Sequence, residues 1–179
     1  MTDSPAETRT LVLLRHAKAE QGSESTDDAE RPLSARGEAD AAAAGAWLAH
    51  HDLLPDVVIC STARRTRQTW HGVAMGMAGS PPEGGPTGPR PTVRYEPGAY
   101  DAHPEELLAL VRTADPAARV VLLIAHNPGV SLLSAFLDPE TVDDEGLRTA
   151  ELAVHRGVSA WAEWGRGGAP VAQRHTARG

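Results

Sequence analysis

Residues 11–20 read LVLLRHAKAE, from Leu11 to Glu20. Four apolar residues run directly into Arg15 and His16, and the small Ala17 follows. An apolar run of four bounded by polar residues predicts a buried central strand, whose carboxyl end would lie at the rim of an open α/β sheet. That rim is where such sheets bind ligands. Two readings of the pair stay open here: His16 is a nucleophile or base with Arg15 holding an anion, or the pair merely ends a strand in solvent.

Two further runs resemble the first. Residues 56–60 (DVVIC), after Pro55, predict a second buried strand in which Cys60 is a small core residue. Residues 119–125 predict a third, which ends in His126-Asn127-Pro128-Gly129 and so repeats the pattern of the first. Asn127 as cap and Pro128 at the first helical position would start a helix through Phe136, with His126 at a strand tip beside a helix N-terminus.

The segments between these runs predict helices and loops. Ser34 is an N-cap for a helix reaching His50, with Ala39, Ala43, Ala46, Trp47 and His50 as its close-packing face. The adjacent His50 and His51 point about 100° apart on a helix and read as surface residues rather than metal ligands. In residues 61–69 (STARRTRQT), Ser61 or Thr62 caps a helix whose apolar stripe is Trp70, Val73 and Met77. With Thr62 as cap, Arg65 takes the third helical position beside free backbone N–H groups, a combination suited to phosphate. Arginines near the positive end of a helix dipole are otherwise unfavourable, and an anion between them resolves the conflict. Arg64 and Arg67 read as solvated.

Residues 21–30 form an acidic loop ending in Glu30-Arg31-Pro32-Leu33, where Arg31 is either phosphate-facing or a surface ion-pair partner. Residues 76–90 are Gly- and Pro-rich and predict an irregular, lid-like surface loop. Residues 92–95 predict a short strand, after which Glu96 and Asp101 are the two carboxylates placed where a general acid sits. Pro104, Glu105 and Glu106 open a helix that buries Leu107, Leu108 and Val111. Residues 138–146 form an acidic loop without metal-ligand spacing. Residues 147–154 and 158–164 predict two closing strands, with 1–8 and 166–179 as flexible ends of a single domain, 1–179.

Composition narrows the function classes. The net charge of −7 argues against a general nucleic-acid binder, which needs a basic footprint. One cysteine excludes an intramolecular disulfide and a Cys-based zinc site. The N-terminal residues carry no apolar signal-peptide core, and no run approaches the roughly 18 apolar residues of a membrane helix. A soluble, cytoplasmic protein is expected.

Three buried strands alternating with helices predict a mainly parallel sheet covered on both faces, a three-layer α/β/α fold. Two of those strands end in histidine and a third leads into an arginine-rich helix start, so Arg15, His16, Arg65 and His126 converge at one rim. Two arginines with one or two imidazoles describe a site for a phosphoryl group.

The RHA block at 15–17, the ERPL segment at 30–33, SxxxRxxQT at 61–69 and the HNPG block at 126–129 together resemble branch 1 of the histidine phosphatase superfamily, and within it the short SixA-like phosphohistidine phosphatases. The order and spacing match over about residues 10–164. The resemblance implies a phosphoglycerate-mutase-like fold in which His16 attacks phosphorus and becomes phosphohistidine, which water then hydrolyses. It further implies that Arg15, Arg65 and His126 bind the phosphoryl oxygens, that Arg65 rather than Arg64 is the motif arginine, and that no metal or organic cofactor is required. Ala17 stands where the family commonly has glycine, and Thr62 where it commonly has proline. Glu96 is nearest to the family's acid, although SixA-like members align poorly there. The expected substrate is a phosphorylated protein carrying phosphohistidine; small phosphoesters are the alternative, and a non-catalytic phosphate-binding module is a reading from another class. The resemblance does not fix an oligomeric state.

Overall fold

Alternate side chains of the first strand go to opposite layers. In the computed structural model, which describes residues 7–79 and 90–179, Leu11 and Leu13 of β1 (Arg9–Arg15) pack on one face of the sheet, and Val12 and Leu14 on the other. All four are fully buried, which places β1 at the centre. The sheet has six strands in the order β3-β2-β4-β1-β5-β6. β2 (Val57–Ser61), β3 (Thr92–Glu96) and β4 (Val120–Ala125) run parallel to β1, whereas β5 (Glu151–Gly157) pairs antiparallel with β1 and β6 (Val171–Thr176) antiparallel with β5 at one edge. The three-layer, mainly parallel expectation is met.

One outer layer holds α1 (Ala35–His50) and α2 (Arg64–Ala78); the other holds α3 (Pro104–Arg112) and α4 (Gly129–Leu137). The Ser34 Oγ accepts from the Gly37 N–H, so the predicted cap of α1 is present. The buried face of that helix differs from expectation. It runs through Gly37, Ala41, Ala44, Gly45 and Leu48, one step round from the alanine set read in the sequence, because Gly45 allows backbone contact with α2 and Gly37 with Lys18. A Cβ at Gly45 would sit 2.0 Å from the Val73 carbonyl oxygen, and one at Gly76 would sit 2.0 Å from that of Ala42.

Four other expectations are corrected. Residues 76–78 continue α2 rather than opening the Gly/Pro-rich loop, and 80–89, where a lid was expected, lie outside the described residues. The second closing strand is Val171–Thr176, not 158–164. Trp161 and Trp164 instead anchor the core with their indole N–H groups on the carbonyls of Ala118 and Ser159. The segment 166–179 is therefore built into the fold, and its Gly179 N–H reaches Asp40 Oδ1 at 2.9 Å. Asn127 does not cap α4, which begins at Gly129 after a cis Asn127-Pro128 bond; its side chain is spent on Leu147 and Ser131.

Candidate active site

The parallel register brings the carboxyl ends of β1, β2 and β4 level. Arg15 pairs with Ala125 and Cys60 with Ile124, so Arg15-His16, Ser61 and His126 leave the sheet together at one rim. His16 is held from both sides. Its backbone N–H reaches the Ala125 carbonyl at 3.1 Å, and its Nδ1 lies 2.7 Å from the Ala17 carbonyl. A carbonyl only accepts, so Nδ1 carries the ring proton and Nε2 keeps a free lone pair. Burial lowers the His16 pKa to about 4, helped by the cations of Arg65, Arg15 and Arg31, so this ring is neutral near pH 7.

His126 faces it with a ring-centroid separation of 5.3 Å. This residue is only 8% exposed, and burial followed by the neighbouring His16 and Arg65 lowers its pKa to about 3. Nε2 of His126 lies 2.7 Å from Ser61 Oγ, while its Nδ1 is buried and has no partner among the described residues. Arg15 donates through Nη1 to the Leu147 carbonyl at 3.0 Å, and its buried Nε is likewise unpartnered. An unpartnered buried guanidinium N–H and an unpartnered buried imidazole nitrogen at one rim suit an anion.

Arg65 stands at the second position of α2, not the third, because the helix begins at Arg64 after Ala63 and no side chain caps it. Nη1 donates to the Asp28 carbonyl at 2.8 Å and Nη2 to Asp28 Oδ2 at 3.0 Å. The same carboxylate accepts from the Tyr100 hydroxyl at 2.6 Å and from Arg31 Nη1 at 3.0 Å. These three donors, Tyr100 foremost, hold the Asp28 carboxyl far below the usual carboxylate range. Arg31 is thus an ion-pair partner of Asp28 beside the site. The edge-on Tyr100 ring lies 5.5 Å from the His126 ring.

Two residues of the STARRTRQT segment tie the loops together. Thr69 Oγ1 accepts from the Ala17 N–H at 3.0 Å and donates to the Arg65 carbonyl at 2.7 Å. Gln68 Oε1 accepts from the Leu33 N–H at 2.7 Å. The start of α2, which carries Arg65, is therefore fixed to the loop after His16 and to the segment after Arg31.

Of the residues expected from the sequence, Arg15, His16 and His126 share one rim and Arg65 is linked to it through Thr69 and Ala17. Glu96 ends β3, one strand outside β2, and its carboxylate receives Arg94 at 3.0 Å. No hydrogen bond joins it to the other four.

Residues 11–83 match the model of the histidine phosphatase superfamily, branch 1. A candidate phosphohistidine phosphatase, SixA from Nakamurella multipartitia, is 33% identical, with 97% of this chain and 99% of that chain covered at a TM-score of 0.80. The chain belongs to the histidine phosphatase superfamily, branch 1. A second candidate SixA, from Agrobacterium tumefaciens, is 25% identical over 93% of this chain and 97% of that chain, with a TM-score of 0.75. An uncharacterized protein of Mycobacterium tuberculosis is 29% identical over 173 residues, which is 92% of this chain and all of that one. Membership in the histidine phosphatases supports phosphatase activity for this chain.

Asp28 and Tyr100 were not found by reading the sequence. Asp28 lies in an acidic stretch without periodicity, and its contact with Arg65 spans 37 residues, so only the folded chain reveals it.

Proposed function

We propose that this protein is a phosphohistidine phosphatase in which His16 is the nucleophile. The observation that carries the proposal is the Nδ1 contact of His16 with the Ala17 carbonyl, which leaves Nε2 unprotonated beside two arginines and His126. Nε2 attacks phosphorus, the bond between phosphorus and the substrate imidazole breaks, and that imidazole leaves neutral with the proton its other nitrogen already carried. Phosphorylated His16 keeps its proton on Nδ1, so its ring is cationic while the phosphoryl oxygens carry negative charge. Water then attacks phosphorus, the P–Nε2 bond breaks, the water protons end on phosphate, and His16 returns neutral. Arg15, Arg65 and His126 stabilise the charge on the phosphoryl oxygens in both steps.

The phosphohistidine substrate is supported by the chemistry of this sequence of steps, since neither needs a separate acid and Glu96 is engaged by Arg94. The resemblance to candidate SixA proteins over nearly the whole chain supports it as well. The reading places the protein in the cytoplasm; among the described residues no helix is long and apolar enough to cross a membrane.

The test is to expose wild type and His16→Ala to a phosphohistidine-bearing protein and to a small phosphoester, trap the adduct, and map it by mass spectrometry. An acid-labile, base-stable phosphate on His16, lost in the variant together with turnover, is expected, with the phosphohistidine protein as the faster donor. Efficient hydrolysis of the phosphoester alone would assign a different substrate. Phosphate binding without an adduct in either protein would make it a binding module.

A further inference from the structure

Ser61 is the last residue of β2 and is fully buried. Its Oγ has two neighbours within hydrogen-bond distance among the described residues, the Ala63 N–H at 3.3 Å and His126 Nε2 at 2.7 Å. The Ala63 N–H can only donate, so it occupies a lone pair of the hydroxyl oxygen. The hydroxyl hydrogen then has one acceptor within reach, Nε2 of His126.

The opposite arrangement is costly. Were Nε2 protonated, Ser61 Oγ would accept twice and its own hydrogen would be buried without an acceptor. Nδ1 of His126 would at the same time become a buried acceptor with no donor. With Ser61 donating, every polar atom of the pair is satisfied except one, the Nδ1–H of His126.

We infer that Ser61 is a positioning residue that fixes His126 as the Nδ1–H tautomer, so that a neutral imidazole presents one unspent donor to the phosphoryl group. This rests on the reading of His126 as a phosphoryl-oxygen ligand. It gives the strand-end serine a role distinct from helix capping. The donor needs no added proton, so His126 can serve beside two arginines without becoming a third cation.

The tautomer is read directly by long-range proton–nitrogen NMR on the full chain with nitrogen-15 histidine, at pH 7, with and without inorganic phosphate. The His126 signals are assigned by their loss in His126→Gln. Wild type is expected to show a protonated-type shift at Nδ1, an unprotonated-type shift at Nε2, and movement of the Nδ1 proton on phosphate addition. Ser61→Ala is expected to lose that preference and about 10- to 100-fold in kcat with KM within a few-fold, as for removal of a device aimed at the transition state. Ser61→Thr, which keeps the hydroxyl, should restore both. An Nε2–H tautomer in wild type overturns the inference, as does a Ser61→Ala protein that keeps the Nδ1–H form and its kcat. Absence of turnover on every phosphodonor would count against the proposed function alone, because the wild-type tautomer is read without turnover.

Discussion

Asp28 holds Arg65 at both ends of its guanidinium, through a carboxylate oxygen at 3.0 Å and its own carbonyl oxygen at 2.8 Å. A phosphoryl group that binds Arg65 therefore arrives beside an anion already in place. Asp28→Asn removes that charge while leaving an oxygen for Tyr100 and Arg65. Inorganic phosphate should then inhibit about fivefold more tightly, near 1 kcal/mol for a partly exposed charge. Inhibition constants for both proteins at fixed ionic strength check this, and weaker inhibition in the variant would show that Asp28 chiefly orients Arg65.

Removing Arg65 itself should be far more damaging. Arg65→Ala is expected to lower kcat/KM by about 10²- to 10³-fold, the size usual for loss of a transition-state donor. Arg65→Lys should recover only part, because an ammonium cannot fork across two oxygens of Asp28. Steady-state kinetics on the three proteins would settle it.

Glu96→Gln should leave turnover of a phosphohistidine substrate within a few-fold of wild type, since its carboxylate serves Arg94 in the structure. A drop beyond a hundredfold would assign it the acid role that its position after a strand suggests.

Protonation separates the two histidines from ordinary ones. The folded-state values of about 4 for His16 and about 3 for His126 lie below the usual 6.5, so between these limits the unfolded chain binds more protons. Their effect on stability is absent above about pH 6.5, and stability falls as the pH drops below it. Urea titrations from pH 7 to 4 should show this decline, shallower in His126→Asn. With substrate ionisation divided out, kcat/KM should show no acid limb near 6.5 and should fail only as the pH approaches 4, where Nε2 of His16 is protonated.

The contact of α1 with α2 offers a stability test remote from chemistry. Gly45→Ala forces a Cβ to within 2.0 Å of a backbone oxygen, which cannot turn away as a side chain would. A loss of about 2 kcal/mol or more is expected, read as a lower urea midpoint. Gly98→Ala is the control, since a Cβ there meets nothing within 4 Å.

The strands that carry Arg15, His16 and His126 were legible because burial on both faces leaves uninterrupted apolar runs that end abruptly in charge. Ser34 was legible as a cap because capping is local. β6 was not: it is an edge strand, largely exposed, and VAQRHT shows no alternation to read. Residues 158–164 misled for the opposite reason, since two tryptophans make an apolar stretch whose indoles need carbonyl partners rather than strand neighbours. The roles of Gln68 and Thr69 are long-range hydrogen bonds, invisible to periodicity.

β1 takes both its neighbours from the second half of the chain, β4 beginning at Val120 and β5 beginning at Glu151. On a ribosome the strand bearing Arg15 emerges early and waits for partners more than a hundred residues later, a long-range pairing of the kind that slows folding. Until β4 follows, LVLLR is an apolar segment with two bare edges. Nascent chains stalled before residue 120 should bind chaperones through this segment, and the strand that leads into His16 should be among the last parts of the sheet to gain protection.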